Sequence, residues 1–308
     1  MLNEPPPQNK ARVEIVPVAG IETDGRFVRL DFISPTLSQR ALAAQFFEVA
    51  CRKFRNNTNR SADSLSPLLN RPFSVHRWID GGFSTLFDVI GPGTRQLSAL
   101  QSGDNVLVIG PLGQGMEKIP GNVSRLVLVA GGIGVAAFTI FAQLAQRQRV
   151  PCRLYYGVNR KGDLALTGNE SAPHGCSLLA EFEALGCRWS LASMLDNSFY
   201  PGTVVDLLDR DWKEKREPFD TPRENILLVG CGPWPMMRAL AAWSQERKLR
   251  CFLLLEEMMG CGLGICRSCV VPGFDFTDEG RRIPRNLAVC RDGPMISADR
   301  IDWERGWS

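Results

Sequence analysis

The chain has 308 residues, of which 44% are hydrophobic and 22% charged, a composition typical of a soluble globular protein with room for two domains and a small appendage. Its formal net charge of +3 is too small to indicate nucleic acid binding, and its two histidines give little support to a histidine metal site or a Ser-His-Asp triad. No segment has the apolar length of a membrane span, and residues 1–10 lack the apolar core of a signal peptide, so we expect a cytoplasmic protein with neither nucleic acid nor membrane as partner.

The first third of the chain is predicted to form an antiparallel barrel or sandwich. Val28, Leu30 and Phe32 alternate with charged residues, as in a strand with one buried face. Further short apolar runs at 46–49, 73–75, 85–90 and 105–109 are separated by glycine-rich turns, and a Gly-Pro-Leu-Gly turn at 110–113 is expected to close the barrel. The basic stretch 51–70 is interpreted as a solvated loop, with a docking surface for an acidic partner as the alternative.

The first chemical motif is Arg71-Pro72-Phe73-Ser74. The guanidinium fork of Arg71 suits a diphosphate, and the hydroxyl of Ser74 suits a flavin ring or a phosphate. Alone the motif is weak, because an arginine beside a proline is more often a surface residue. It is strengthened by Gly93-Thr94, a turn before a helical segment at 95–100 where backbone N–H groups could receive a phosphate.

The middle of the chain is predicted to be a doubly wound α/β domain. A buried strand at 125–130 runs into Gly131-Gly132-Ile133-Gly134 and a helix at 135–146, an arrangement suited to a dinucleotide pyrophosphate. The spacing is not G-x-G-x-x-G, so a plain tight turn is an equal alternative. The remaining predicted strands and helices cover 153–157, 178–184, 188–191, a helix from Thr203, 225–230, 235–246 and 251–255.

The strand at 225–230 ends in Cys231-Gly232-Pro233. Ligands bind at the carboxyl ends of strands in open α/β sheets, so this turn and the Gly131–Gly134 turn could both face a nicotinamide dinucleotide. Cys231 itself is interpreted as a buried small residue rather than a nucleophile, since no histidine or lysine is evident to activate it.

The last fifty residues carry the most specific pattern. Cys261, Cys266 and Cys269 form a C-x4-C-x2-C array, and with Cys290 they offer four thiolates to a 2Fe-2S cluster. Gly262 and Gly264 would let the loop curl so that its N–H groups point at sulfur. Structural zinc and unligated core cysteines are the alternatives. The other six cysteines are expected to be reduced thiols, mostly in the core: Cys51, Cys152, Cys176, Cys187, Cys231 and Cys251.

In this order the motifs resemble the ferredoxin-NADP reductase superfamily. With Glu256 to Gly264 and Cys290 to Pro294 added, the chain resembles the electron-transfer subunits of NAD-dependent dihydroorotate dehydrogenase, over nearly its whole length after about residue 12. The resemblance implies an FAD-binding β-barrel at 1–120, an NAD-binding α/β domain at 121–256 and a 2Fe-2S domain at 257–308. It also implies a role in pyrimidine biosynthesis and an FMN-containing catalytic subunit as partner in a heterotetramer.

The same resemblance assigns residues to cofactors. FAD would contact Arg71, Pro72, Phe73, Ser74, Leu86, Phe87, Asp88, Gly93 and Thr94. NAD would contact Gly131, Gly132, Gly134, Cys231, Gly232 and Pro233. The metal ligands would be Cys261, Cys266, Cys269 and Cys290.

The sequence departs from the family pattern around the nicotinamide pocket. Ala137 replaces a usual proline, residues 197–200 replace an acidic, glycine-containing turn, and the 51–70 stretch is unusually long. The choice between NAD and NADP is therefore open, and Asn159-Arg160-Lys161 is either a grip for a 2'-phosphate or a solvated loop.

The cofactors together predict an oxidoreductase subunit in which a flavin links the two-electron chemistry of a nicotinamide to the one-electron chemistry of a cluster. No side chain need act as a general base. Two alternatives remain open from the sequence: an electron-transfer subunit of a hydrogenase, sulfide or ferredoxin reductase system, and a zinc-stabilised binding protein without turnover.

Overall fold

The computed structural model describes residues 11–54, 68–167 and 171–305, which form an antiparallel barrel-like sheet, a mostly parallel α/β sheet and a C-terminal hairpin. This architecture confirms the predicted fold class. Most of the basic 51–70 stretch lies outside the described residues, so both interpretations of it stay predictions. No helix in the described part of the chain is long and apolar enough to cross a membrane.

The barrel precedes the α/β sheet in the chain. Its strands are β1 (Arg12–Asp24), β2 (Phe27–Ile33), β3 (Phe46–Lys53), β4 (Arg71–Ser74), β5 (Arg77–Ile79), β6 (Gly82–Asp88) and β7 (Asn105–Leu112), with helices α1 (Pro35–Arg40) and α2 (Pro92–Ser98). They pair antiparallel in the order β4-β3-β7-β1-β2-β6-β5.

Aromatic rings hold the barrel together across its interior. Phe47 of β3 stacks on Phe83 of β6 at a centroid distance of 4.1 Å, and Phe73 of β4 stacks on Phe87 of β6 at 4.8 Å. Because β4 and β6 are not hydrogen-bonded to each other, the second stack curves one end of the sheet towards the other.

Two features of the barrel differ from the prediction. Strand β1 was not predicted, because Pro17 and Gly20 interrupt its alternation, and its register shifts between Val18 and Gly20 as in a bulge. The segment Gly110–Leu112 was predicted as a turn, but it continues β7. A Cβ on Gly110 would lie 2.4 Å from the Phe47 ring, so the absent side chain lets the strand pass that ring, and the turn comes only at Gly113, whose φ is +77°.

Arg29 is a further difference, since the alternation in β2 placed it on the solvent side. It is 8% exposed, because its guanidinium pairs with Glu22 of β1 and with Glu181 of the α/β domain. Glu181 also pairs with Arg77 of β5 at 3.0 Å. These charges join the two parts of the molecule, which a strand period does not reveal.

The α/β domain follows. Its strands are β8 (Arg125–Gly131), β9 (Cys152–Val158), β10 (Cys187–Ser193), β11 (Tyr200–Pro201), β12 (Ile226–Cys231) and β13 (Arg250–Leu254), and its helices are α3 (Thr139–Gln148), α4 (Ser177–Ala184), α5 (Val204–Lys213) and α6 (Trp234–Glu246). The parallel order is β11-β10-β9-β8-β12-β13.

Alternate residues of β8 serve the two faces of this sheet. Leu126 and Leu128 belong to a core shared with α3, α4 and the barrel, whereas Val127 and Val129 belong to a core with α5 and α6. Every predicted strand and helix of the domain is present within a few residues. The first helix differs, because Gly132–Ala137 forms a 3-10 turn and the α-helix starts only at Thr139.

The chain ends in a compact extension. It contains the hairpin β14 (Val270–Phe276) and β15 (Arg282–Ala288), the short helix α7 (Val289–Asp292) and β16 (Met295–Ser297). Strand β16 pairs antiparallel with β13, so the chain returns to the α/β sheet after the cysteine loop. The predicted domain boundary at residue 256 therefore stays a prediction. Strand β16 lies after that boundary in the chain but belongs to the α/β sheet.

Candidate functional site

The structure brings Arg71 and Gly93 together at one rim of the barrel. A Cβ on Gly93 would lie 2.9 Å from Nε of Arg71 and 2.9 Å from Sγ of Cys51, so only a glycine leaves room for the arginine to cross α2. Nη1 of Arg71 donates to the carbonyls of Leu69 and Asn70, at 2.9 and 3.1 Å. These bonds fix one side of the guanidinium. The side chain of Arg71 is thereby held in place to bind an anion.

The hydroxyls predicted for the flavin site differ in availability. Oγ1 of Thr94 already bonds within its own turn, accepting from the N–H groups of Ile90 and Gly91 at 3.0 Å each. Its role is therefore to shape the turn beside Gly93. Ser74 is half-buried and its hydroxyl has no hydrogen bond to the described residues, so it remains free for a ligand.

Strand β6 presents backbone to the same region. Leu86 and Phe87 are buried in the core, and Asp88 pairs with Arg26 at 3.1 Å, so these three side chains are committed to the protein. Among the described residues, β5 pairs only with Gly82–Ser84, which leaves the outer edge of β6 without a strand partner from Thr85 onward. Oγ1 of Thr85 is buried and has no hydrogen-bond partner among the described residues. An open strand edge, an unpartnered hydroxyl and an anchored arginine together fit a flavin with its diphosphate.

The two predicted nucleotide turns lie against each other at the carboxyl edge of the α/β sheet. A Cβ on Gly131 would come within 2.8 Å of Pro233, and one on Gly134 within 2.4 Å of the carbonyl oxygen of Cys231. Nδ1–H of buried His76, in the barrel, donates to the carbonyl of Ala136 at 2.7 Å. The glycine turn, which is the predicted pyrophosphate position, thus lies against the barrel.

Cys231 is buried, as expected, and burial raises the pKa of its thiol. Its Sγ lies 3.8 Å from Oε1 of Glu256, which follows β13. Glu256 remains accessible to solvent but is densely surrounded by protein, and that desolvation raises its pKa. The sequence argument did not single out Glu256 for the nicotinamide pocket. Its position just after β13, the strand that pairs with β12, is the sequence feature that could have identified it.

The cysteine loop has the backbone that the glycines predicted. Gly262 and Gly264 have φ of +66° and +80°, and N–H groups turn inward on sulfur. Leu263 N–H donates to Sγ of Cys261 at 3.3 Å, and Gly264 N–H donates to Sγ of Cys290 at 3.1 Å. Such donors stabilise thiolate charge around a cluster.

The four thiols form two pairs. Sγ of Cys261 accepts from the backbone N–H of Cys266 at 3.5 Å, and Cys290 lies beside Cys269. In the described chain, no three His, Cys, Asp or Glu side chains are arranged to hold one metal ion. Four neighbouring thiols, with backbone N–H groups directed at sulfur, are the donor set that would hold a 2Fe-2S cluster, so the residues present fit the predicted group.

Glu48 connects the cysteine loop to the barrel, and it was not predicted. It is 3% exposed on β3, beside Pro72 of β4, and its Oε1 has no hydrogen-bond partner among the described residues. Its carboxyl packs against Gly262, and burial raises its pKa to about 7, against the lowering effect of Arg71. One side chain therefore adjoins both the arginine of the flavin rim and the cysteine loop.

The outer side of the cysteine loop is apolar and open. Cys266 is exposed while Cys269 and Cys290 are buried, so the loop has one solvent-facing edge. Met258, Leu263 and Ile265 are 87%, 48% and 77% exposed around it. We call these three residues the apolar rim. Apolar side chains grouped at such an edge are typical of a protein interface.

Comparison with known proteins gives consistent matches. Residues 256–302 match the family described as the iron-sulfur cluster binding domain of dihydroorotate dehydrogenase B. The electron transfer subunit of dihydroorotate dehydrogenase B (NAD(+)) from Geobacillus kaustophilus is 34% identical over 248 residues, which cover 78% of this chain and 82% of the relative. The subunit of the same name from Desulforamulus reducens is 29% identical over 280 residues, covering 89% and 92%.

Solved structures of low sequence identity share the fold. An NADH-dependent reduced ferredoxin-NADP oxidoreductase has a TM-score of 0.72 at 20% identity and covers 95% of this chain and 91% of its own. A ferredoxin NADP+ reductase from Neisseria gonorrhoeae with bound FAD and NADP has a TM-score of 0.57 at 16% identity, covering 76% and 91%. The fold formed by the barrel and the α/β sheet thus recurs in both of these proteins.

Proposed function

The chain belongs to the family of dihydroorotate dehydrogenase B (NAD(+)) electron transfer subunits, and from this we propose that it passes electrons between a dihydroorotate-oxidising catalytic subunit and NAD, in pyrimidine biosynthesis. When bound, FAD can exchange hydride with a nicotinamide and single electrons with a 2Fe-2S cluster. An enzyme of this kind therefore holds FAD and the cluster together. The observation that carries the proposal is that the cysteine loop packs on Glu48, beside the Arg71 motif, while the glycine turn after β8 is hydrogen-bonded to His76 of the barrel.

The residues of the chain act by holding and positioning. Arg71, anchored by two carbonyls across Gly93, neutralises the diphosphate of FAD, and the free hydroxyl of Ser74 is available to the flavin. The paired turns at Gly131–Gly134 and Cys231–Pro233 receive the nicotinamide dinucleotide at the edge that abuts the barrel.

The cysteine loop is the part of the protein that exchanges electrons with the partner. Cys261, Cys266, Cys269 and Cys290 ligate the cluster, with their charge supported by the N–H groups of the loop. Its inner side packs on Glu48 and Leu112 of the barrel, and its outer edge is surrounded by the apolar rim. Because electrons must cross between subunits, we place the catalytic subunit on the apolar rim.

The test is to purify the protein anaerobically, alone and with a dihydroorotate-oxidising catalytic subunit. Alone, it should contain FAD, iron and sulfide, and NADH should bleach the flavin and iron-sulfur absorption. With the partner, dihydroorotate should reduce NAD. A colourless protein with stoichiometric zinc, or a loaded protein that associates with the catalytic subunit without supporting this reaction, would overturn the proposal.

A further inference from the structure

Three consecutive residues of the barrel, His76, Arg77 and Trp78, contact the α/β domain. They begin two residues after Ser74, the last residue of the Arg71 motif. We call these three residues the interdomain segment. Because the segment follows the Arg71 motif so closely in the chain, the stretch that carries the flavin motif also carries contacts to the other domain.

Each residue of the interdomain segment contacts a different element of the α/β domain. His76 is hydrogen-bonded to the glycine turn after β8, and Arg77 pairs with Glu181 of α4 at 3.0 Å. The side-chain amide of Gln143 in α3 bonds both the backbone N–H and the carbonyl of Trp78, at 2.8 and 2.9 Å. The segment is therefore held by the glycine turn and by both helices.

Glu181 completes a row of alternating charges whose other members belong to the barrel. Its carboxylate pairs with Arg29 of β2 and with Arg77 of β5, and these arginines also pair with Glu22 and Asp31. Arg29 is almost fully buried, so water cannot readily replace a lost carboxylate partner. Within this row, Glu181 is the charge that links the barrel to the α/β domain.

The apolar contact between the domains does not fix their orientation by itself. One continuous hydrophobic core contains Phe32 and Phe83 of the barrel together with Phe138 and Phe182 of the α/β domain. Apolar burial is non-directional, so it brings the domains together without selecting an angle between them. Hydrogen bonds depend on direction, and the contacts of the interdomain segment therefore select one orientation.

We propose that Glu181 and Gln143 are positioning residues for hydride transfer. By holding the interdomain segment, they fix the flavin motif relative to the paired nucleotide turns, so that the nicotinamide meets the flavin without a closing movement of the domains. This rests on the proposed function, because it assigns a geometry to the same reaction.

The reaction in question is NADH plus FAD giving NAD+ plus FADH−. The C–H bond at the nicotinamide breaks, and its hydrogen moves with the electron pair to the flavin. The rate of such a step depends steeply on the distance between donor and acceptor, and a misplacement of about 1 Å can lower it about a hundredfold. Small changes in the angle between the domains should therefore be visible in the rate.

The test is anaerobic stopped-flow reduction of the FAD-loaded protein over a range of NADH concentrations. This experiment separates the dissociation constant of NADH from the limiting rate of flavin reduction. Glu181→Gln should lower the limiting rate about tenfold and change the dissociation constant by no more than about twofold, because both nucleotide turns stay intact. A deuterium isotope effect at least as large as that of the wild type, with NADH labelled at the transferred hydrogen, should accompany the slower rate.

Two further variants separate positioning from a general effect of substitution. Gln143→Ala removes the other side chain that holds the interdomain segment and changes no charge, so it should slow reduction in the same way. Glu183→Gln is the matched control, because Glu183 is an exposed glutamate on the same helix as Glu181 and bonds only locally, to Trp189 at 3.0 Å. This variant should keep the wild-type rate.

Hydrogen exchange gives a readout that needs no turnover. In the protein without NADH, peptides covering the interdomain segment should exchange about tenfold faster in Glu181→Gln and Gln143→Ala than in the wild type or Glu183→Gln. Peptides covering β12, in the middle of the α/β sheet, should keep their protection in all four proteins. Faster exchange in both places would indicate global destabilisation and would overturn the positioning role.

The kinetic outcomes distinguish this role from the proposed function. Wild-type limiting rates in both Glu181→Gln and Gln143→Ala would overturn the positioning role alone, as would a loss confined to the dissociation constant of NADH. A wild-type protein whose bound FAD is not reduced by NADH would overturn the proposed function and the positioning role together.

Discussion

The carboxyl of Glu48 packs against Gly262, so the strand beside the Arg71 motif and the loop of the cysteine array touch each other directly. An added Cβ on Gly262 would lie 2.8 Å from Leu112 and 2.9 Å from Glu48, on a backbone whose φ is +66°. The loop can therefore approach the barrel this closely only with glycine at this position.

Gly262→Ala should displace the cysteine loop from the barrel. We expect lower iron and sulfide content per protein and a decrease of about 1–3 kcal/mol in unfolding free energy, from left-handed strain plus the clash. Gly280→Ala is the control, because its φ is +78° but a Cβ there meets nothing within 4 Å. If both variants lose iron equally, the packing against Glu48 and Leu112 is not the cause.

Cys269→Ser should remove a cluster ligand without disturbing the barrel. The expected result is loss of iron and of dihydroorotate-driven NAD reduction with the partner, while NADH still reduces bound FAD. Cys251→Ser, a buried cysteine on β13 outside the array, should keep all three properties. Loss of FAD reduction in Cys269→Ser with FAD still bound would contradict the separation of the two functions.

Gly93→Ala should push Arg71 off the flavin rim. A Cβ at this position would lie 2.9 Å from Nε of Arg71, so the flexible arginine side chain would have to move away. We expect FAD affinity to fall by about tenfold, because the displaced guanidinium no longer pairs with the diphosphate. Equilibrium dialysis of FAD against the apoprotein measures this affinity. Gly91→Ala, two residues earlier with nothing within 4 Å, should bind FAD as the wild type does.

Ile265→Glu should abolish docking of the catalytic subunit. Placing a charge in the apolar rim costs desolvation on association, so we expect loss of the complex in gel filtration while iron content and NADH-dependent flavin reduction stay normal. Val13→Glu, an equally drastic change at a 64% exposed position on β1, should leave the complex intact. A stable complex with Ile265→Glu would move the interface elsewhere.

His76 should make the protein sensitive to acid. Burial lowers the pKa of its imidazole to about 3, and the positive charges of Arg29 and Arg77 lower it further, while the hydrogen bond from Nδ1 to Ala136 opposes this shift. A lowered folded pKa means that its contribution to stability is fully present above the unfolded value near pH 6.5 and is lost as pH falls towards 3, by a few kcal/mol.

Urea unfolding of the wild type at pH 7.5 and pH 4.5 measures this decrease. His76→Gln, which stays neutral and can still donate a hydrogen bond, should be less stable at pH 7.5 but should lose less stability between the two pH values. An identical decrease in both proteins would assign the acid sensitivity to other groups.

The sequence predicted those parts of the site in which the chemistry or the backbone conformation requires one residue type. The cysteine spacing and the glycines at 262 and 264 identified the loop, because only these residues serve thiolate ligation and a left-handed backbone. The turns at Gly131 and Cys231 were placed correctly because each follows a continuous buried strand.

What the sequence did not predict depends on contacts between distant segments. The strand patterns around Glu48 and Arg29 do not indicate that either side chain is buried. Glu48 is buried because it packs against Gly262, and Arg29 because it pairs with Glu181. Glu256 became a site residue only once β12 and β13 were known to be neighbours. Strand β1 was missed because Pro17 and Gly20 hide its period.

The pairing of β16 with β13 means that the cysteine loop starts and finishes at the same edge of the α/β sheet. Residues 255–294 are therefore a closed excursion rather than a free tail, and the backbone hydrogen bond from Leu255 to Pro294 clamps its base at 2.9 Å. Because strand pairing closes this excursion, the sheet contributes to the entropic cost of bringing Cys290 close to the other three cysteines. An apoprotein truncated before β16 would lose this closure, leave β13 as a bare sheet edge, and become prone to aggregate.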